Sequence, residues 1–346
     1  MDVKKLIYLT PLFIIFFGIN NYNLYESQIL FANVFETLPK NQWLHESPIQ
    51  FFIGYILNKL INNVVLTYWI VVVLGYCFLM FGFYCIQQKK PSKKHFIYIL
   101  FFTPFFLIIF SWSGKPDTFL VGALLLLFIY NKNPVASFLI TLTMVFSHPQ
   151  ISIVYYVLIK LLKIFDVKVH HIFSLVISLS IHSIYIRGLD SYDGGRLDFI
   201  LENWDRYFFG VFSNFNSGIL AMFMWIWIPI IISELFFQKK FLLSLIFISV
   251  ISFFALDFTR TFVTMSVPLI YSLSSNDSFI KSFNKIFSSK YLLILGFLQF
   301  QKRPGGIIVD SAWSWAFVDN YARFTGKLST SILDIILNIQ KNFLEQ

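Results

Sequence analysis

The sequence predicts an all-α protein whose helices cross a membrane about ten or eleven times. Hydrophobic residues make up 57% of the 346 residues and charged residues only 13%, whereas soluble domains are roughly 45–50% apolar and 25% charged. The apolar residues form separate runs between short polar turns, and each crossing needs about 20 residues. We therefore expect one polytopic transmembrane domain over residues 1–300 and a C-terminal tail, residues 301–346, whose side of the membrane is left open.

Ten apolar runs define the predicted helices in chain order. Several of them are shorter than a full crossing, so polar flanking residues must complete those spans, or the helices are short or broken. An eleventh run, residues 291–300, is too short to assign. The ten runs cover residues 6–19, 64–86, 96–110, 118–130, 134–146, 151–165, 172–186, 218–237, 241–256 and 262–274.

The start of the chain and its first outer loop each predict a helix of a different kind. The first apolar run follows two lysines, and no small-residue cleavage site comes after it, so we expect an uncleaved helix with a cytoplasmic N-terminus. The segment 48–61 is apolar on one side but carries Gln50, Asn58 and Lys59. This pattern favours a helix that lies in the membrane interface and does not cross.

Lysines concentrate in every second turn, and this asymmetry sets the predicted orientation. Alternate threading puts more than half of the 27 basic residues, but few of the 18 acids, on the side of the N-terminus. Cytoplasmic loops of membrane proteins carry such an excess of Lys and Arg. The net charge of +9 is therefore assigned to loops facing anionic lipid and not to nucleic-acid binding.

The predicted outer turns carry acids together with Lys, His or Arg. Glu26 follows the first helix, and a carboxylate beside a low-dielectric surface can act as a general base. The turn at residues 111–117 holds Lys115 and Asp117 between two apolar runs. Charges at such a place are costly unless they pair or reach water. This turn is the sharpest indication of a functional site, although a purely structural ion pair is the competing interpretation.

Two further outer turns contain candidates for binding phosphate. His148 lies in a short Ser-His-Pro-Gln turn, and Arg260 follows Asp257 at the mouth of a later helix. An arginine presents a fixed fork of donors to phosphate, and Asp257 would orient it. The two cysteines, Cys77 and Cys85, share one apolar run and indicate neither a disulfide nor a metal site.

The remaining polar features give weaker indications. The longest outer loop, residues 187–217, holds several acids and a Gly pair, but their spacing matches no calcium-binding loop. Most of its charges are expected to be solvated, and a metal requirement is left open. His182 lies within an apolar run and is expected to be a packed, hydrogen-bonded residue.

The layout of residues 1–275 resembles that of the C-type (GT-C) integral-membrane glycosyltransferases. In that superfamily an Asp or Glu of the first outer loop is taken to be the catalytic base, and Glu26 is the matching position, although it lacks the adjacent second acid of many members. Three other segments are similar to turns of the superfamily: His45-Glu46-Ser47-Pro48, which leads into the interfacial helix, Lys115-Pro116-Asp117, and Asp257-Phe258-Thr259-Arg260.

The resemblance implies transfer of a sugar from a polyprenyl-phosphate donor to a glycan, lipid or protein acceptor at a bacterial cell envelope. Transfer would invert the anomeric centre, with Glu26 as base and with Lys115, Arg260 and His148 binding the departing phosphate. The site would lie on the outer face of the inner membrane. No cofactor is certain, and a divalent cation is left open. The supporting residues would be His45, Glu46, Asp117 and Asp257.

Two other functions fit the same composition. An oligosaccharide polymerase is also polytopic with charged outer loops, and it would need room for two lipid-linked glycans. A transporter or flippase of lipid-linked glycans would carry charges at mid-membrane depth and show repeat symmetry. The charges of this sequence cluster at the ends of apolar runs and no repeat is visible, so the glycosyltransferase is the favoured prediction.

Overall fold

The computed structural model describes residues 24–36, 42–93, 95–106, 109, 116–189, 223, 226–253 and 258–287. These residues form α-helices and short 3-10 turns and contain no strand. The predicted all-α class is therefore confirmed for this part of the chain. The first predicted helix, residues 6–19, and the C-terminal tail lie outside the described residues.

Thirteen helices, numbered in chain order, occur among the described residues, with 3-10 turns at Gln42–Glu46, Pro91–Lys93 and Leu235–Phe237. Short polar turns join most of them, as the spacing of the apolar runs predicts. The helices are α1 (Leu24–Leu30), α2 (Ile49–Ile61), α3 (Val64–Lys89), α4 (Phe96–Phe101), α5 (Asp117–Tyr130), α6 (Pro134–Ser147), α7 (Pro149–Leu162), α8 (Val169–Arg187), α9 (Trp227–Ile232), α10 (Lys239–Phe253), α11 (Phe258–Met265), α12 (Val267–Leu273) and α13 (Asp277–Phe287).

Only α3 and α8, among the described helices, are long and apolar enough by length and composition to cross a membrane. They contain 26 and 19 residues, respectively. The helices α2, α5, α6 and α7 are apolar but have only 13 or 14 residues. The polytopic architecture therefore stays a prediction. The short helices α5, α6 and α7 correspond to short apolar runs, and α2 corresponds to the segment predicted as an interfacial helix.

Three predicted runs are broken among the described residues. In the run 96–110, α4 ends at Phe101. In the run 218–237, α9 ends at Ile232, and Glu234 adopts a left-handed backbone before the 3-10 turn Leu235–Phe237. The run 262–274 is divided between α11 and α12, with Ser266 at the break and Pro268 in the first turn of α12. Proline has no N–H to donate to the carbonyl four residues earlier, which here belongs to Thr264. The Tyr155 hydroxyl of α7 donates to that carbonyl instead, over 2.8 Å.

The helix α13 was not predicted, because its sequence is too polar to form an apolar run. Its aromatic residues Phe279, Phe283 and Phe287 recur at every fourth position and are buried, whereas Lys281 and Lys285 are exposed. This period places the three rings on one face of the helix, where the ring of Phe283 packs against Tyr98 and Phe102.

Contacts between the turns bring the lysine-bearing ends of the helices together. The Lys89 ammonium at the end of α3 donates to the Tyr130 hydroxyl at the end of α5, and Lys93 Nζ donates to the Tyr271 carbonyl of α12 over 2.8 Å. His171, at the start of α8, donates to the Asn131 carbonyl. We call this side of the bundle the lysine end.

The opposite ends of the same helices meet at what we call the carboxylate end, which is defined by Glu46, Asp117 and Gln150. Short turns join α5, α6, α7 and α8, so these helices run in alternating directions. Asp117 at the start of α5 and Gln150 at the start of α7 therefore lie at the end of the bundle opposite to the Lys89–Tyr130 contact. The helix α2 starts next to Glu46, which is bonded to Gln150, and it ends one turn before α3 begins. Both of its ends therefore lie at the carboxylate end, as expected of a helix that does not cross.

Close packing of α3 against α5 fixes the position of Asp117. A methyl group added at Gly75 of α3 would clash with the Thr118 hydroxyl of α5, and one added at Gly82 would lie 3.1 Å from the Gly122 carbonyl oxygen. These glycines let the two backbones approach, as small residues do between membrane helices. The start of α5, where Asp117 lies, is consequently held firmly against α3.

Candidate functional site

The centre of the candidate site is a buried ion pair between α5 and α11. Arg260 Nε donates to Asp117 Oδ2 over 2.8 Å, and Nη2 donates to Oδ1 over 3.2 Å. The two side chains are only 7% and 5% exposed. This two-point contact uses both carboxylate oxygens and fixes the plane of the guanidinium group.

Local sequence explains why Asp117 starts its helix. Pro116 precedes it, and proline suits the residue before or at the start of a helix because its missing N–H has no intrahelical partner there. The carboxylate is then next to the positive end of the α5 dipole. Arg260 and the helix dipole together stabilise a negative charge that the apolar surroundings would otherwise disfavour.

The ion pair lies beside the joint between α7, α11 and α12. Tyr155 of α7 is fully buried and within electrostatic range of Asp117. Its hydroxyl holds the Thr264 carbonyl, and Thr264 is one turn beyond Arg260 on α11. Hence one tyrosine links the helix that carries Arg260 to α7, which begins directly after His148.

His148 lies at the carboxylate end, between α6 and α7, and is 7% exposed. Its backbone is extended, and the Ser152 hydroxyl of α7 donates to its carbonyl over 2.8 Å. His148 therefore lies in the buried connection between α6 and α7, two turns of helix before Tyr155. The structure brings α7 against α11, so His148 and Arg260 belong to neighbouring elements at the same end of the bundle.

The segment His45–Glu46 forms a second polar cluster at the carboxylate end. The Glu46 carboxylate accepts from Gln150 Nε2 over 3.0 Å. The Glu46 carbonyl accepts from His182 Nε2 over 3.1 Å, so His182 is the packed, hydrogen-bonded residue that was predicted. These contacts attach the turn Gln42–Glu46 to the ends of α7 and α8.

His45 is the most buried member of this second cluster. It is 0% exposed, and its Nδ1 lies 3.0 Å from the Tyr185 hydroxyl of α8. Burial lowers the pKa of His45 to about 4, because the charged imidazolium loses its hydration. The imidazole is therefore neutral at physiological pH.

Glu26 lies on α1, which packs against α2 and α3. Its side chain is half-buried, and its charge reaches Tyr68 near the start of α3. Glu26 is therefore at the carboxylate end, beside the helix that carries Gly75 and supports the start of α5.

Two of the predicted site residues, Lys115 and Asp257, lie outside the described residues. The prediction that Asp257 orients Arg260 is thus untested, whereas Asp117 is observed in that role. The described residues contain no group of three or more His, Cys, Asp or Glu side chains that could hold a metal ion. A cation that uses residues from the remaining loops stays an open prediction.

Sequence analysis missed Tyr155, Gln150 and Tyr185. Tyr155 and Tyr185 lie in apolar runs, where a tyrosine gives no signal of its own. A signal for Tyr155 exists only in combination with Pro268, since a proline inside a predicted helix leaves a carbonyl that another donor must satisfy. Gln150 borders the turn that holds His148 and was assigned no separate role.

Comparisons with protein-family models, with curated proteins and with solved structures find no match for this chain. Its functional interpretation therefore depends on the residues and on their geometry.

Proposed function

We propose that the protein is a polytopic membrane glycosyltransferase that moves a sugar from a polyprenyl phosphate to a glycan, lipid or protein acceptor of the cell envelope. The observation that carries this proposal is the buried Asp117–Arg260 pair at the end of the bundle opposite the lysines. An arginine oriented at a helix end suits recognition of the phosphate of a lipid carrier, whose isoprenoid tail stays in the bilayer.

The exposed surface supports a location in the membrane. Large apolar side chains face outward along α3, α6, α8 and α10, whereas several Ser, Thr and His side chains and the Asp117–Arg260 pair are buried between helices. Such a surface suits lipid tails, and a soluble monomer rarely exposes so much contiguous apolar area. The outward-facing residues include Val73, Phe81, Leu139, Ile172, Ile184 and Val250.

The separation of charge supports the orientation. Lys89, Lys93 and Lys132 lie at one end of the described helices, while Glu26 and Glu46 lie at the other. With the lysine end in the cytoplasm, the candidate site faces the outside of a bacterial inner membrane. Lipid-linked sugars used at the outer face would meet it there.

Chemically, transfer is a single displacement at the anomeric carbon. The Glu26 carboxylate accepts the proton of the acceptor hydroxyl, and the acceptor oxygen forms the new bond to the carbon. The bond from that carbon to the phosphate oxygen breaks, and its electron pair leaves with the lipid phosphate. Arg260, with His148 and Lys115 as further donors, stabilises the charge that develops on this phosphate.

In this mechanism Asp117 is a positioning residue. It occupies Nε and one Nη of Arg260 and so limits how the guanidinium can rotate. A guanidinium group has five N–H donors, so one group can contact the Asp117 carboxylate and a phosphate together. Because Arg260 is already held in place, phosphate binding costs less side-chain conformational entropy.

The test is transfer by the purified protein in lipid vesicles supplied with labelled polyprenyl-phosphate hexoses and pentoses. The double variant Asp117→Asn/Arg260→Gln removes both buried charges and leaves similar volumes. It should stay folded in the membrane but release lipid phosphate about 10²–10³ times more slowly. Near-normal release by this variant would rule out Arg260 as the phosphate ligand.

A transporter of lipid-linked glycans is the second candidate, and the burial of the ion pair favours it. Intramembrane ionisable pairs often mark substrate pathways. The same vesicles distinguish the two functions, because a transporter moves the labelled lipid across the bilayer without releasing lipid phosphate. An oligosaccharide polymerase would be inactive with one donor and a soluble acceptor.

A further inference from the structure

The tautomer of the neutral His45 imidazole follows from its hydrogen bonds. The Tyr185 hydroxyl donates its single hydrogen to the Val34 carbonyl over 3.2 Å. The same hydroxyl lies 3.0 Å from His45 Nδ1, so it can only accept there, and Nδ1 must carry the hydrogen. The neutral imidazole is consequently fixed in the Nδ1–H form, which leaves a lone pair on Nε2.

Nε2 of His45 is a buried acceptor with no hydrogen-bond partner among the described residues. Buried polar atoms are rarely left in this state, because the lost hydration is not replaced. The ring itself cannot turn to relieve the cost without breaking the bond to Tyr185. The Nε2 lone pair of His45 therefore has a fixed direction at the carboxylate end.

The turn around His45 lies at the surface of the carboxylate end. Among its contacts, the Glu46 carboxylate accepts from Gln150 and the Glu46 carbonyl accepts from His182, and Gln150 is exposed. Because His45 is 0% exposed, binding at Nε2 requires a shift of Gln42–Glu46, whereas α2 packs on α3 and α6 and can keep its position.

We propose that Nε2 of His45 accepts a hydrogen bond from a sugar hydroxyl of a substrate. This inference rests on the proposed glycosyltransferase function and names a recognition residue for it. A neutral acceptor suits a hydroxyl donor and does not suit phosphate, which needs donors. A metal ion would need further ligands, and the described residues offer no such group.

Two amide variants separate the two nitrogens of the ring. In His45→Asn the amide NH₂ can replace Nδ1–H and keep the bond to Tyr185, but no acceptor remains where Nε2 was. In His45→Gln the amide oxygen reaches the Nε2 position, but the bond to Tyr185 is lost. We expect His45→Asn to raise KM about tenfold with little change in kcat, and His45→Gln to retain more of the wild-type KM.

The assay uses the polyprenyl-phosphate hexose that the wild-type protein turns over best, with donor and acceptor varied in turn. A raised KM for the donor assigns the hydroxyl to the transferred sugar, and a raised KM for the acceptor assigns it to the acceptor. Both KM values at the wild-type level in His45→Asn, or a loss that His45→Gln shares equally, would overturn the inference. Absence of transfer by the wild-type protein would instead contradict the proposed function.

A binding measurement is independent of turnover. In nanodiscs with ¹⁵N-labelled histidine, the His45 signal is identified by its absence in His45→Asn. Adding short-chain polyprenyl-phosphate glucose, or a methyl glycoside as acceptor, should shift the Nε2 resonance while Nδ1 stays protonated. An unchanged Nε2 resonance with both saturating ligands would overturn the inference.

Discussion

At the scale of single residues, the ion pair between Asp117 and Arg260 connects the sequence to the proposed chemistry. Hydropathy alone placed both residues at the ends of apolar runs, where charges are tolerated. It could not reveal that they meet, since 143 positions separate them and several other acids share the same predicted side. Pairing depended on how α5 and α11 pack, which no local pattern encodes.

Replacing one partner of this pair should destabilise the protein more than replacing both. Arg260→Ala leaves the Asp117 carboxylate buried without its partner, and such changes cost about 3–5 kcal/mol. Asp117→Asn/Arg260→Gln removes both charges and should unfold within about 1–2 kcal/mol of the wild type. Thermal unfolding in detergent measures both variants. Equal destabilisation by the single and double variants would mean that the pair is not coupled.

Acid should weaken the attachment of the first outer loop through His45. Its folded-state pKa of about 4 lies below the unfolded value of about 6.5, so the folded state resists protonation. The contribution of neutral His45 to the free energy of unfolding is complete above about pH 6.5. It decreases as the pH falls towards 4, by up to about 3 kcal/mol.

The measurement for His45 is the difference in unfolding between wild type and His45→Asn, taken from pH 7.5 to 4. Because the variant has no titrating group at this position, the difference should shrink as the pH falls. A difference that stays constant over this range would contradict the assignment of a neutral, buried imidazole.

At the scale of elements, the joint at Pro268 is the clearest departure from the predicted helices. The run 262–274 is mostly apolar, and hydropathy alone does not show that the proline at its middle frees the carbonyl of Thr264. The bounds of α3, α5, α6 and α8 matched the apolar runs closely. The caps Asn63 and Asn133 stand directly before α3 and α6. Elements outside the hydropathy pattern, such as α13, were not found.

Tyr155→Phe should destabilise the joint between α7 and α11 by about 1–2 kcal/mol, because the Thr264 carbonyl loses its donor while the ring stays in place. The control is Pro268→Ala, which restores an N–H to that carbonyl. In the Pro268→Ala background, Tyr155→Phe should cost clearly less. Thermal unfolding of the four proteins measures this coupling, and additive effects would refute it.

At the scale of the whole molecule, the segregation of charge between the two ends makes a topological prediction. In a background of Cys77→Ser and Cys85→Ala, a cysteine at Glu36 should react with a membrane-impermeant maleimide in intact cells. A cysteine at Lys132 should react only after the membrane is opened. Both positions are exposed in the structure, so access depends on the side of the membrane. Labelling of the Lys132 position in intact cells would mean that the orientation is the opposite of the predicted one.

In the proposed membrane location, the shortness of α6 and α7, which expose apolar side chains such as Leu139 and Val157, has a consequence for the surrounding lipid. Fourteen residues of helix extend about 21 Å, whereas the hydrocarbon layer is about 30 Å thick. A mismatch of this size would thin the bilayer locally and draw its headgroups down towards the end of the bundle that holds Asp117 and Arg260. A carrier lipid that diffuses into this depression would bring its phosphate to the depth of the arginine, so turnover should be faster in thin, short-chain bilayers than in thick ones.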